Sequence, residues 1–298
     1  IGAPVVGFFV DKFGPRSLIL FGSVVVGLGF ILLSRINSLP TFSPIDEDTS
    51  LAFTGASVIS VSDVDADASG GLTTTLSVTR GRLTSTNPAV IGSGTRAVSI
   101  SGLVAAVNAA LSSLTYTPDQ DFSGSDTLVM VSDDQGHTGS GGAKSDSDSA
   151  VISIRPINDA PVNSVPGKQA FITNFDNLLS TASGNAVQVS DVDAGDAAVQ
   201  VQLLATSGTL TVKDKLQTSV SGDGTSSVSI QGSVAAVNAV LANGLIYRNS
   251  APGTGTLSVT TSDLGNVGGG GARTDADAIA FEVFEFIPSE IGGSVFID

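Results

Sequence analysis

The sequence predicts a mainly β protein: two tandem antiparallel β-sandwich domains preceded by a hydrophobic transmembrane helix. Three observations carry that expectation. Beyond Ser43 the chain repeats once, at a spacing of about 130 residues, the size of a domain rather than of a solenoid unit. Within each copy, short runs alternate apolar with small polar residues and are broken by turn clusters. Ahead of the repeats lies an apolar run unlike anything that follows it.

That run, "SLILFGSVVVGLGFILLS" (Ser17 to Ser34), is 18 residues without a charge. At about 1.5 Å per residue it reaches about 27 Å, close to the thickness of a bilayer core. Lys12 and Arg16 precede it and Arg35 follows. The positive-inside rule therefore places the start in the cytoplasm and the repeats outside, a membrane-anchored protein at the cell surface. A signal peptide is the rival reading. The length of the run, Arg35 directly after it and the lack of an Ala-x-Ala site argue against it. The chain opens on Ile1 and closes on "GGSVFID", so it is expected to be a piece of something longer, with 288–298 the start of a further module.

Composition narrows the chemistry. There are 28 acids against 13 bases, one histidine, no cysteine and no tryptophan, and the net charge is −15. A polyanion is a poor partner for nucleic acid, whose phosphates need Lys and Arg. Without cysteine there is no disulfide framework, iron–sulfur cluster or thiol chemistry. One histidine leaves little for transition metals or histidine-based catalysis. The charge is also uneven: residues 1–42 carry a net of +2 and the remainder −17.

In the repeat, "GLVAAVNAALSSLTY" (Gly102 to Tyr116) answers "GSVAAVNAVLANGLIY" (Gly232 to Tyr247), "VMVSDDQG" answers "VTTSDLG", and "SDSDSAVISI" answers "TDADAIAFEV". Runs such as "AVSISG", "TLVMVSD" and "AVISIRP" have the period of half-buried strands. The one helical signal is "VAAVNAAL", with Val104, Val107 and Leu111 on one face, repeated at Val234, Val237 and Leu241. It predicts a single crossover turn of helix over one edge of each sandwich. Tyr116 and Tyr247 follow it and are expected in the cores.

The acids cluster. "SDVDADASG" (Ser62 to Gly70) crowds Asp63, Asp65 and Asp67 at alternate positions, and "SDVDAGD" (Ser190 to Asp196) repeats the phrase. Like charges this close repel unless solvent or a cation separates them. Calcium takes roughly six to eight oxygen ligands, largely carboxylates and carbonyls. An EF-hand does not fit: counting from Asp63, Ala68 stands where Gly is needed and Thr74 where Glu is needed. The nonapeptide β-roll repeat does not fit either, since "GGGG" (Gly268 to Gly271) has no further copies. Solvated Asp-rich turns remain the alternative to a cation site.

Two resemblances go further. "GFFVDKFGPR" is similar to the loop between the second and third helices of major facilitator superfamily transporters, with Gly7, Asp11, Lys12, Gly14 and Arg16 at the motif positions. It covers residues 1–42, one whole helix and part of another, which is too little to build a substrate path. The two copies, about 43–287, resemble the cadherin-like repeats of large bacterial-type surface proteins. That resemblance implies domains at 43–158 and 159–287 and calcium at the junction between them. Carried over by residue, Glu47, Asp119 and Asp121 would come from the first copy, and Asn158 and Asp159 from the linker. Asp191, Asp193 and Asp263 would come from the second copy. Pro156 and Ala160 stand where the family has acidic or amide ligands, which implies fewer than three ions. Asp63, Asp65 and Asp133 form the matching set at the near end of the first copy. They lack upstream partners, so a weak or empty site is expected there. In the second copy Phe175 is expected where Glu47 falls, and "YRNSAP" and "FEFIPSE" replace the acidic pair and the linker, so the far end should lack the site.

The function implied is a calcium-binding extracellular rod, structural and adhesive, stiffened by Ca2+ and presenting a protein or glycan partner surface. The alternative is a transporter fragment fused to surface repeats and not itself competent for transport. No enzyme activity is expected. His137 reads as a surface-loop residue, no Gly-x-Ser-x-Gly elbow or phosphate loop is present, and few aromatics are available to line a sugar cleft beside paired acids.

Overall fold

The computed structural model describes residues 35–36, 39–63, 70–136, 141–265 and 267–288. The chain is mainly β and divides into two compact units, Ile1–Arg155 and Pro156–Asp298. The predicted transmembrane helix at 17–34, the transporter-like motif, Asp65, Asp67, His137 and residues 289–298 lie outside the described residues. Among the described residues no helix is long and apolar enough to cross a membrane.

The first unit contains β1 (Arg35–Ile36), β2 (Ile45–Asp46), β3 (Leu51–Ala52), β4 (Val61–Ser62), β5 (Leu72–Ser77), β6 (Gly81–Thr84), β7 (Val90–Ile91) and β8 (Ala97–Gly102). Helix α1 (Val104–Leu111) follows, then β9 (Thr115–Pro118), β10 (Gly124–Asp133) and β11 (Ser145–Arg155). Six strands form one sheet in the order β2-β11-β10-β5-β8-β7, three form a second, β3-β9-β6, and β1 pairs with β4. The pairing is antiparallel except for β2 beside β11. Alternation builds the sandwich: Leu72, Thr74 and Leu76 of β5 turn inward while Thr73, Thr75 and Ser77 do not. Inward residues of both sheets, among them Leu76, Ile100, Met130, Leu83 and Tyr116, share one core.

The second unit repeats this plan strand for strand: β12 (Val162–Ser164), β13 (Gln169–Ile172), β14 (Asn177–Leu179), β15 (Gln188–Ser190), β16 (Ala198–Ala205), β17 (Thr209–Val212), β18 (Ser219–Ser221), β19 (Ser227–Ser233), α2 (Val234–Asn243), β20 (Leu245–Arg248), β21 (Gly253–Ser262) and β22 (Thr274–Phe284). Its sheets run β13-β22-β21-β16-β19-β18 and β14-β20-β17, with β12 on β15. Leu203, Ile230, Val259, Leu210 and Tyr247 meet in its core.

Three sequence expectations change. The first domain takes in residues ahead of 43: Arg35 and Ile36 pair with Ser62 and Val61, and the ring of Phe42 is buried 5.6 Å from that of Phe53. The end of the apolar run had marked the border, but pairing and burial set it. The second boundary falls between Arg155 and Pro156, so Asn158 and Asp159 belong to the second unit rather than to a linker. The helices are also longer than one turn, at 8 and 10 residues, because their alanines favour helix. They bury Val107, Ala110 and Leu111 in one copy and Val237, Val240 and Leu241 in the other, with Val104 and Val234 at the margin of the core.

The asparagine shared by both helices has a definite task. Asn108 Oδ1 accepts from Val61 N–H, and its Nδ2 donates to Val61 C=O, both at 2.9 Å. Asn238 does the same to Val189, at 2.9 and 2.7 Å. Each amide pairs with a strand edge as one residue of a neighbouring strand would.

One buried charge in the first unit escaped the sequence reading. Asp126 is 1% exposed. Its carboxylate accepts from Thr79 N–H and Oγ1, Arg80 N–H, Thr127 N–H and the Tyr116 hydroxyl. Burial works against the charge, but these donors outweigh it and hold the pKa below the ordinary carboxylate range. Burial and the neighbouring Asp126 push the Tyr116 phenol up. Asp126→Ala leaves several buried donors unmet and should destabilise the first unit by about 3 kcal/mol. Because the folded pKa is depressed, the ionic part of that stability is present above the usual carboxylate range and lost as the pH falls through the folded value. The gap between wild type and variant should therefore narrow below about pH 4. Denaturant titrations read by amide protection in β5 and β10 check this, and a gap that stays constant into acid would refute the ionic account.

Candidate metal centre

In the second unit five of the predicted residues are brought together by a chain of contacts. Asp191 and Asp193 lie on the loop from β15 into β16. Their carboxyls meet, and Asp191 Oδ1 also caps the loop by accepting from the N–H groups of Asp193 and Ala194 at 3.3 and 3.1 Å. Asp193 Oδ2 accepts from Asp159 N–H at 3.1 Å. The preceding residue, Asn158, is 1% exposed, and its Nδ2 donates to Asp263 Oδ2 at 2.5 Å and to Gly271 C=O at 2.9 Å. Both partners are acceptors, which settles the orientation of the amide.

The glycine run is part of this construction. Asn158 N–H donates to Gly269 C=O, and Gly269 N–H donates to Pro156 C=O. Gly268 has φ +72°, and a Cβ there would sit 2.5 Å from Asn158 N. Only glycine lets the loop lie this close. "GGGG", which matched no repeat motif, thus holds Asn158 in place.

Three side-chain oxygens of this cluster, Asn158 Oδ1, Asp191 Oδ2 and Asp193 Oδ1, are buried and find no hydrogen-bond partner among the described residues. Buried acceptors of this kind are costly unless something electropositive meets them. Burial, followed by the contact with Asp193, pushes the Asp191 carboxyl up to about 6. Asp263 goes the other way. Burial raises it, but Arg273 N–H, Gly265 N–H and the Asn158 amide hold it below the usual range. The set offers only oxygen, which suits a hard divalent cation and not zinc or copper.

In the first unit the predicted acids are placed by different contacts. Glu47 is 6% exposed, and its N–H donates to Arg155 C=O. Asp119 is ion-paired with Arg96 at 2.7 Å. Asp121 has φ +55°, and its N–H donates to Oδ1 of Asp48, itself at φ +59°. The sequence reading passed over Asp48, although it sits beside Glu47 in "PIDEDTS". Asp63 is half-buried just after β4.

Two assignments shift by a residue or two. Asp134, not Asp133, is the first-unit counterpart of Asp263. Asp134 Oδ1 accepts from Gly136 and Lys144 N–H, as Asp263 Oδ1 accepts from Gly265 and Arg273. Asp133 matches Ser262, each accepting from the N–H two residues on. The doubled "DD" hid which aspartate aligned. The counterpart of Glu47 is Thr173 rather than Phe175, since Thr173 N–H donates to Phe284 C=O as Glu47 N–H does to Arg155. At that end of the second unit Ile172, Phe175, Phe284, Phe286 and Ile287 are exposed, with the Phe175 and Phe286 rings 4.8 Å apart.

No family model matches the chain, and no curated protein matches it. Among solved structures it is similar to the extracellular cadherin domains 1–5 of protocadherin gamma B2, at 14% identity and a TM-score of 0.41, over 88% of this chain and 42% of that one. It is also similar to domains 1–2 of human protocadherin-24, at 12% identity and a TM-score of 0.34, over 84% and 98%. A third is domains 22–24 of mouse cadherin-23, at 15% identity and a TM-score of 0.33, over 85% and 67%. The chain spans 42% of the length of the first of these structures.

A raised carboxyl pKa has a defined sign. Asp191 keeps its proton in the folded state after the unfolded chain has lost it, so without metal its contribution to stability falls as the pH rises from 3.8 through about 6. In chelator, Asp191→Asn should therefore raise the melting temperature at neutral pH, with the gain vanishing toward pH 3.8. A variant no more stable than wild type at neutral pH would mean that neither burial nor Asp193 disfavours the Asp191 charge in the folded chain.

Proposed function

We propose that this chain is a calcium-binding, cadherin-like extracellular repeat segment with a structural and adhesive role rather than a catalytic one. The observation that carries the reading is the set of three buried, unmet oxygens on Asn158, Asp191 and Asp193. A calcium ion supplies what they lack, at a charge high enough to offset two carboxylates. Asn158, Asp159, Asp191, Asp193 and Asp263 would hold it in the second unit. Glu47, Asp48, Asp119 and Asp121 are the acidic set of the first unit, and the same reading assigns them to calcium. When bound, the ion neutralises repulsion within the cluster and links binding to folding. Anchoring through residues 17–34, a cell-surface location and a protein or glycan partner belong to the same proposal. They rest on the sequence reading.

Thermal melts of the chain in EDTA and in millimolar calcium test it. Calcium at a hundredfold excess over its Kd should stabilise the second unit by about 2.7 kcal/mol. The shift should vanish when Asp191→Ala and Asp193→Ala are combined. Asp191→Asn should reverse sign, more stable than wild type in EDTA and less stable in calcium. A wild type whose melt ignores calcium would sink the proposal. Solution scattering with and without calcium reads whether the ion also stiffens the chain.

A further inference from the structure

We infer that Asn238 is a positioning residue for the calcium site of the second unit, fixing the strand that delivers Asp191 and Asp193. The inference rests on the calcium reading above. Strand β15 has three residues and pairs along one edge with β12, also of three residues. A two-stranded ladder that short holds poorly by itself. The Asn238 amide occupies the other edge, taking both the N–H and the C=O of Val189. Strand side chains alternate, and Val187 and Val189 are buried with Ser190 exposed between Val189 and Asp191. Asp191 therefore inherits the inward side from Val189. A slip of one residue would turn it to the opposite face and carry Asp193 with it.

The clamp is anchored in something rigid. Val237, next to Asn238, is fully buried, as are Val240 and Leu241 nearly so, and Ser233 Oγ caps the start of α2 by accepting from Ala236 N–H. The helix thus passes the position of the core to the strand, and the strand passes it to the loop two residues on. With both ends of its amide committed to Val189, Asn238 acts through the strand and not as a ligand. The first unit supplies an internal control. Asn108 makes the same pair of bonds to Val61, two residues before Asp63.

Calcium titration calorimetry on the full chain tests this, with the combined Asp191→Ala and Asp193→Ala variant identifying which heat belongs to the second unit. Asn238→Ala should weaken that site by about tenfold or more, the usual effect of removing a support behind a metal ligand. Asn108→Ala should leave the same site at its wild-type affinity while lowering the stability of its own unit in EDTA, which separates positioning from general destabilisation. Unchanged affinity in Asn238→Ala overturns the inference. If that variant fails to fold, amide exchange in the wild type decides. Val189 N–H protected in EDTA before any ion is added supports the clamp, and protection gained only with calcium overturns it. A wild type that takes up no calcium defeats the calcium reading itself, and this inference with it, and is told apart by the missing heat.

Discussion

A carboxylate taken out of water must be met by donors or by a cation, and the arrangement of both units follows from how each buried acid meets that demand. Asp126 is met in full by the Thr79 side chain, three backbone N–H groups and a tyrosine hydroxyl. Asp134 and Asp263 are met on one oxygen by two backbone N–H groups, which closes a turn whose next residues, Gln135 and Leu264, are held at φ +61°. Asp191 and Asp193 are met only in part, and they face each other. The same demand therefore separates acids that build the fold from acids left over for a ligand. Position along the chain does not make that separation, since all of them lie in short Asp-Ser-Gly phrases of similar look.

Comparing the copies shows how much of the plan is backbone and how much is local chemistry. At the position of Asp126 in β10, β21 has Gly255, where a Cβ would strike the Phe281 ring at 2.6 Å. In the first unit the tyrosine packs against a buried ion. In the second, Tyr247 packs against Phe171 and Phe281, with ring centroids 4.9 and 4.8 Å away. Stacked aromatics and a satisfied carboxylate are two fillings of one space. What does not vary is the helix asparagine and its strand partner, found at the same place in each copy. Cores tolerate exchange if volume and polarity are balanced, whereas a hydrogen-bonded register admits fewer substitutes.

Much of this was legible beforehand, and the limits have physical causes. The repeat, the strand pattern and the buried tyrosines follow from periodicity, which burial enforces directly. The Asp-x-Asp phrases were readable as a candidate site because like charges in a weakly charged chain call for a reason. The role of Asn158 was harder to see. Its orientation depends on Asp263 and Gly271, more than a hundred residues away, and on a glycine run whose purpose appears only when the chain comes back beside it. Asp126 was invisible because its donors come from β-strand ends near Thr79, and "GSDTLVM" reads like any half-polar strand. The offset between Asp133 and Asp134 shows a different limit, since two adjacent aspartates give alignment no preference until hydrogen bonds separate their roles.

The second unit also has two chemically different ends. Strand β22 runs from the loop where Arg273 N–H caps Asp263 to Phe284, and its 11 residues span roughly 35 Å. At the Phe284 end the register pair Phe284 and Ile172 is apolar and exposed. The same register pair in the first unit is Arg155 and Asp46, an ion pair at 2.8 Å. Thr173 takes the place of Glu47, and its hydroxyl is used by Phe286 N–H. Each of these changes replaces an ionic group with a neutral one. Ile172, Phe284, Phe286 and Ile287 give this end of the second unit an exposed apolar surface interrupted by Glu285, where the first unit has an ion pair at the same register.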